Sequence, residues 1–513
     1  MSLGARVGRA ILWGQAGRVV EASLFFVFSL FLARSLGPAS YGLYALGISL
    51  AGVCAFLTLL GLGPETLGRF LPEIASKGGQ NLARRLLTKL LAIRGAAILL
   101  LAVFLFLFRG AIGRLFHFPL ISGAFALVLL VFAARSILDL MTYFSSGLLE
   151  LQRVAGAKLA ASLTTPCIFA MFWLRHAATA SAGWLALAGG SLVGILFLGI
   201  PYLSARPCPA NQSALPLRRI LTFGLFAWAT NFFVFILGDN TDVLLLGWLV
   251  VDRAAIGQYA LGAKIVFSLT SMLLGWVTLS SVATLSEAWQ RGGITQMGAL
   301  VEAQWKLEVL GLVPPFLLLM RFAREIIAIF YSPAYSPSVP VTRILSGLMI
   351  CGVICGFSMQ AGILYVLNHE RLACALVAGS ATFNFASEVL LVRLFGIYGA
   401  AWATGLSFVL LAILCTAAGA LYVPLQVPLS FIGKVMASGV LSVASTLWLH
   451  PASLEALCGG FALYGAVFLA SLAVMKPLSG KDSASLQCVN GLLGSWAQKL
   501  FVDMSATVEE GGA

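Results

Sequence analysis

The sequence predicts an all-α polytopic membrane protein with about fourteen transmembrane helices, twelve of them forming two parallel six-helix repeats. Three observations carry this. Of 513 residues, 60% are apolar and only 10% are Asp, Glu, Lys or Arg, against about 25% charged in an ordinary soluble domain. Apolar runs of the ~20 residues that a spanning helix needs recur along the chain. The stretch GLYALG at 42–47 returns as GQYALG at 257–262, 215 positions later.

So apolar a chain could fold in water only with almost no wettable surface. With lipid as the solvent the composition is natural, provided each backbone polar group is paired inside a helix. The spans read, in order, as 15–36, 40–63, 88–109, 119–148, 155–175, 181–204, 219–249, 254–284, 302–321, 341–368, 371–394, 397–422, 430–449 and 455–476. GPASYG, SARPCPANQSALPLRR, YSPAYSPSVP and VPLQVPLS mark the breaks, because Pro and polar clusters end apolar helices. The domain reading is an N-lobe at 1–206, a basic cytoplasmic linker at 207–218, a C-lobe at 219–424, two further spans at 425–476, and a cytoplasmic tail at 477–513. The first apolar run leads into LARSLGP without an A-x-A cleavage site, so it reads as a permanent span.

Orientation follows Lys and Arg, which accumulate on the cytoplasmic side. With the N-terminus inside, roughly 21 of them fall in inner segments, Arg94 included, and roughly 8 outside. An even number of spans then leaves both termini cytoplasmic. The net charge of +13 reads as topology and contact with anionic lipids, with no need of nucleic acid. In LARRLLTKLLAIR, Leu82, Leu86 and Leu90 share one stripe. This suits either a helix lying at the inner headgroups or a long solvated start to the third span.

The 215-residue offset also pairs Gly147 with Gly362 and Gly78 with Gly293, which marks a duplication. It maps spans one to six onto seven to twelve. Six is even, so the copies keep one orientation, as in transporters whose substrate site lies between parallel repeats.

The nine cysteines include no pair of Cys-x-x-Cys motifs, so no zinc site is expected, and Cys351 and Cys355 read as small packing residues. GPETLGRF lacks the Lys-Ser/Thr ending of a phosphate-binding loop. No cofactor, metal site or catalytic residue is expected, and the chain does not read as an enzyme. NQS at 211–213 falls in the cytoplasmic linker.

The stretch LFLARSLGPASYGLYALGISL resembles the opening signature of Wzx-type polysaccharide flippases of the MOP (MATE-like) exporter superfamily. DNTDVLLLGWLVVDRAAIGQYALGAKI is similar to that family's seventh and eighth spans, with Asp242 at its recurrent acid, and FGIYGAAWATGLS resembles its twelfth-span motif. The similarity covers roughly residues 10–420. It implies a two-lobed, V-shaped transporter of a bacterial cytoplasmic membrane. Such a protein flips undecaprenyl-diphosphate-linked oligosaccharides to the outer leaflet for O-antigen, exopolysaccharide or capsule synthesis, alongside other polysaccharide-assembly proteins. The alternatives are a lipid II flippase, a multidrug or cation antiporter, and, from another class, a multi-span glycan polymerase or ligase. The repeat and the lack of a long outer loop weigh against that last class.

Charges inside a bilayer are costly, so each is a functional candidate. Lys264, deep in span eight, is the strongest candidate for binding substrate phosphate, the alternative being a structural pair with Asp239 or Asp242. Arg18 either lines the cavity or snorkels to headgroups. Arg135 and Asp139 share a helical face, which favours a self-neutralising pair, with Arg135 kept as a third cationic candidate. Asp239, Asp242, Asp139 and Glu388 are the acids available to a coupling ion or to structure. Trp228, Phe232 and Trp276 read as packing or lipid-facing residues rather than sugar platforms. Pro166, Pro314 and Pro315 interrupt spans five and nine and permit bending there.

Overall fold

The computed structural model describes residues 3–117, 122–148, 150–203, 217–250, 252–356, 360–479 and 502–503. Side chains are described for these except at 3–19, 22, 75–81, 122, 201–203, 226, 230, 274–283, 360–361, 478–479 and 502–503. The described chain is helical, as predicted, apart from a two-residue parallel pairing of Leu478–Ser479 with Val502–Asp503. In order, the helices are α1 (Leu3–Leu57), α2 (Pro64–Leu107), α3 (Arg109–Leu115), α4 (Ser122–Gly147), α5 (Leu151–Leu174), α6 (Ala180–Leu203), α7 (Leu217–Ile236) and α8 (Asp239–Leu249). They continue as α9 (Arg253–Ile326), α10 (Ser338–Ile354), α11 (Gln360–Val366), α12 (Glu370–Phe395), α13 (Ile397–Ala420), α14 (Leu429–Ser445) and α15 (Leu454–Met475). Among the described residues, nine helices are long and apolar enough to cross a membrane, and α10 and α14 are shorter apolar helices. The protein is therefore a multi-pass membrane protein.

The predicted spans map onto these helices with informative breaks. Spans one and two lie in α1, interrupted at Gly37 (φ 71°, ψ 169°), a conformation open to glycine because it has no Cβ. Pro38 follows and cannot continue the helical ladder. Spans eight and nine share α9, interrupted at Gly292 and Gly293. Span seven is divided: α7 ends at Ile236, and α8 restarts after the extended Gly238 (φ −92°, ψ 161°). Most of the predicted linker at 207–218, with its NQS sequence, lies outside the described residues.

Two compact units emerge from the packing. The first comprises Met1–Lys264 with Ser387–Ala400. Here α5 packs along α6, α6 along α4, and α1 across α4 and α5. With no hydrophobic gain from packing in lipid, close approach at small residues drives helix association. Gly190 on α6 shows this: a Cβ there would press on the Ala161 carbonyl and the Thr165 hydroxyl of α5.

The stripe Leu82, Leu86, Leu90 of α2 is buried with Leu140, Phe144 and Ile220 in one apolar cluster. It packs inside the protein, so neither lying at the headgroups nor standing in solvent describes that face. The stripe continues at the same i+4 spacing to Arg94, which is only 1% exposed. Arg94 is therefore an interior cation within the span Leu82–Leu107, which corrects its assignment to the inner surface.

The second unit comprises Ile265–Ala386 and Ala401–Ala513. Its α14–α15 hairpin docks on the later part of α9. Arg321 donates to the carbonyls of Thr446 (2.7 Å) and Leu449 just beyond α14, where a helix end leaves acceptors unpaired. Tyr464 of α15 donates to the Pro314 carbonyl at 2.9 Å, and Ser453 caps α15 by accepting from the Ala456 amide. Cys351 is exposed and Cys355 half-buried, so Cys351 is not the packing residue its spacing predicts.

Candidate functional site

The repeat that first marks the sequence meets itself in the first unit. A Cβ on Gly42 would fall on the Arg253 carbonyl and the Gly257 amide, and one on Gly257 would fall on the Pro38 carbonyl and the Gly42 amide. Arg253 and Gly257 are the 215-offset partners of Pro38 and Gly42. The contact is thus self-complementary, as a two-fold arrangement requires. Only glycine lets the two backbones lie this close.

One turn further along both helices a cavity of about 180 Å³ opens. Its wall repeats the same pairing. Ala45 faces it with Ala260, Ile48 with Ala263, Phe25 with Asn240, Phe28 with Val243, and Ser49 with Lys264. Each pair is related by the 215 offset. Arg135, Asp239, Tyr41, Tyr44 and Ser29 complete the polar lining. Tyr41 and Tyr44 stack at 5.9 Å, and α6 fixes this corner through Trp184, whose indole donates to the Tyr44 carbonyl at 3.1 Å.

Lys264 puts its ammonium 4.6 Å from the centre of the Phe25 ring. Asp239 and Arg135 both act on it electrostatically, yet among the described residues no acid forms an ion pair with it. The break before α8 explains where Asp239 sits: it opens a new helix in mid-span, at the end where the backbone dipole favours an anion.

Span seven's two acids part company here. Asp242 is fully buried and accepts a hydrogen bond from Tyr259 at 2.7 Å. Glu388, also fully buried, acts on Asp242 electrostatically. Its two carboxylate oxygens have no hydrogen-bond partner among the described residues.

Arg135 and Asp139 do not simply neutralise each other. Arg135 turns into the cavity, while Asp139 feels Arg135, Arg94 and Lys158 together. Arg94 donates to the Ala55 carbonyl at 3.3 Å, and Lys158 pairs with Glu21 at 3.0 Å. Sequence reasoning missed Arg94 as an interior residue and Lys158 as the partner of Glu21, although the leucine stripe leading to Arg94 was a usable signal. The side chains of Arg18 and Trp276 lie outside the described residues. Trp228 stacks on Phe56 and donates to its carbonyl at 3.0 Å, while Phe232 packs beside both.

The polytopic helical fold is shared with solved membrane transporters. The solved structure of the lipid II flippase MurJ in an inward closed conformation shares this fold, with TM-score 0.67 and 13% identity over 92% of this chain and 98% of that one. An inward-facing multidrug resistance MATE family transporter of the MOP superfamily aligns with TM-score 0.64 and 15% identity, over 78% of this chain and 94% of that one. The chain belongs to the family of polysaccharide biosynthesis proteins, whose model matches residues 31–340. Its relatives include the probable low-salt glycan biosynthesis flippase Agl15 of Haloferax volcanii, 24% identical over 407 residues, 76% of this chain and 78% of the relative.

Proposed function

We propose that this protein is a flippase that carries a lipid-linked oligosaccharide from the cytoplasmic to the outer leaflet of a bacterial inner membrane, for surface-polysaccharide synthesis. One observation carries the reading: in a chain of the polysaccharide biosynthesis family, Lys264 and Arg135 bring two cations, against the single acid Asp239, to a cavity walled by apolar helices. A phosphate crossing hydrocarbon needs such donors, because an unpaired charge there is costly. Tyr41, Tyr44, Ser49 and Asn240 offer the hydroxyl and amide groups that a sugar can bind. The cavity is small, so it receives the phosphate-bearing headgroup while the lipid tail stays in the bilayer.

Transport proceeds by alternating access between the two repeat copies, 1–206 and 219–424, with both termini cytoplasmic. Asp242 and Glu388 form the coupling site. Two carboxylates buried within each other's field cannot both stay ionised without a counter-charge, so either one holds a proton or the pair holds a cation. Asp139, set among cations, is structural. A drug or cation antiporter would favour an acidic cavity, and the lining charges oppose that. A lipid II flippase would need the same headgroup chemistry and differs in the glycan carried.

Reconstituted protein should move a fluorescent lipid-linked oligosaccharide between leaflets of a proteoliposome, and the gene should restore surface glycan to cells deleted for their own flippase. Failure in both, with acquired resistance to cationic dyes, would assign the chain to the antiporters instead.

A further inference from the structure

Where α2 meets α7, the two helices exchange cations for rings. Arg69 of α2 sets its guanidinium 4.6 Å from the centre of the Phe223 ring of α7. Arg219 of α7 sets its own 5.4 Å from the centre of the Phe70 ring of α2. The two rings meet edge to face at 5.6 Å, and Arg69 also lies 5.6 Å from the Phe70 ring. Two like charges are thus gathered around one ring, with little to neutralise them. Glu73 reaches Arg219 only at 3.9 Å, with both side chains exposed. Among the described residues no acid comes within ion-pair distance of Arg69. None of these residues lines the cavity described above.

Further along the same seam the surface turns apolar. A Cβ on Gly61 would fall on the Gly224 carbonyl, and one on Gly224 on the Gly61 carbonyl, so the backbones touch there. Their neighbours Leu60 and Leu225 are 37% and 56% exposed, and one turn beyond, Trp228 stacks on Phe56. A cationic head followed by an exposed apolar track is complementary to an anionic lipid. We infer that Arg69 and Arg219 bind the headgroup phosphate of an anionic phospholipid, whose acyl chain lies along Leu60 and Leu225. Both cations stand at span ends that the charge bias places at the cytoplasmic headgroups, where basic pockets between spanning helices take acidic lipids. The rings matter because a guanidinium braced on an aromatic face keeps its N–H edge for phosphate oxygens. Spans two and seven belong to different copies of the duplication, so the lipid staples one copy to the other. This site is independent of what the cavity carries.

The test uses the full-length protein in phosphatidylcholine nanodiscs with a rising fraction of phosphatidylglycerol, and native mass spectrometry counts the lipids retained. The wild type should keep phosphatidylglycerol in preference to phosphatidylcholine. Arg69→Gln/Arg219→Gln should weaken that binding about thirtyfold, as expected for two cations at a membrane surface. Arg153→Gln/Arg371→Gln removes the same charge from exposed positions elsewhere and should leave the bound lipid in place. Phe223→Leu removes no charge but takes the brace from Arg69, so a loss of about threefold should follow.

Arg69 and Arg219 are exposed, so the double Gln variant should fold, which thermal unfolding in pure phosphatidylcholine checks. Added phosphatidylglycerol should raise the unfolding temperature of the wild type and slow its hydrogen exchange at 219–224, and should do neither in the double Gln variant. A wild type that retains both lipids alike, equal losses from the two double variants, or a Phe223→Leu protein that binds as the wild type does would each overturn the inference. A polyprenyl diphosphate that displaces phosphatidylglycerol at a tenth of its concentration would make the pair a seat for substrate and overturn the assignment to phospholipid. Substitution of Lys264 tests the cavity separately, so failure here leaves the proposed function standing.

Discussion

Replacing Lys264 with methionine separates a substrate-binding cation from a structural one, because only the structural role ties the side chain to fold stability. The variant keeps the length of the apolar stem, so packing around Phe25 changes little. At about 4 Å from a phosphate oxygen, an ammonium contributes roughly 4 kcal/mol at an effective dielectric of 20. Lys264 is half-buried, and Arg135 shares the cavity, so about half of that should be lost on substitution. A loss of about 2 kcal/mol weakens binding roughly thirtyfold.

Fold stability should behave otherwise. The wild type holds a partly desolvated cation whose described compensations are the Phe25 ring at 4.6 Å and the field of Asp239. A cation–π contact contributes about 0.5–2 kcal/mol, comparable with the cost of desolvating the ammonium. Removing both should leave thermal stability in detergent within about 1 kcal/mol of the wild type. Binding of a polyprenyl phosphoglucose in nanodiscs gives the first quantity, and thermal unfolding of the same preparation gives the second. Unchanged binding together with a stability loss of about 3–5 kcal/mol, the signature of breaking a buried ion pair, would refute the assignment and make Lys264 a structural partner of Asp239.

Further substitutions probe separate parts of the structure. Gly257→Ala places a methyl on the Pro38 carbonyl and should cost about 1–3 kcal/mol in thermal unfolding; Gly68→Ala, with open space around it, should instead gain up to ~1 kcal/mol from helix propensity. Arg94→Met leaves Asp139 with one cation fewer and should destabilise by about 2–4 kcal/mol, most of it recovered when Asp139→Asn is added. Glu388→Gln leaves Asp242 as the lone carboxylate of its cluster; proteoliposome flipping should lose its dependence on an imposed ion gradient while substrate binding persists. Arg321→Gln withdraws the donor from the carbonyls beyond α14, so proteolysis and hydrogen exchange at 446–453 should accelerate by one to two orders of magnitude, reflecting a loss of about 2 kcal/mol.

Much of the site was legible because a charge in a hydrophobic span is conspicuous wherever it stands. Lys264, Arg135 and Asp239 could be picked out by that rule alone, and all three line the cavity. The rule fails at the ends of spans, where a cation is ordinary. Arg94 and Lys158 were read as surface residues for that reason, although one is buried and the other is paired with Glu21. Pairing is equally opaque to spacing. The i, i+4 relation of Arg135 and Asp139 was real, but a side chain on a helix chooses among neighbours from other helices, and Arg135 chose the cavity.

What the sequence determined by itself is the solvent and the symmetry. A chain with one charged residue in ten must put its surface in lipid, and a 215-residue offset requires that what one copy builds the other can match. What only the tertiary structure decided is where that symmetry is used. Gly42 and Gly257 had to be brought backbone to backbone before Ser49 and Lys264 could face one cavity, because contacts between residues 215 positions apart depend on how helices pack, which no local pattern encodes. The same packing divided span seven at Gly238, sending Asp239 to the cavity and Asp242 to Tyr259, two fates that three positions of sequence could not distinguish.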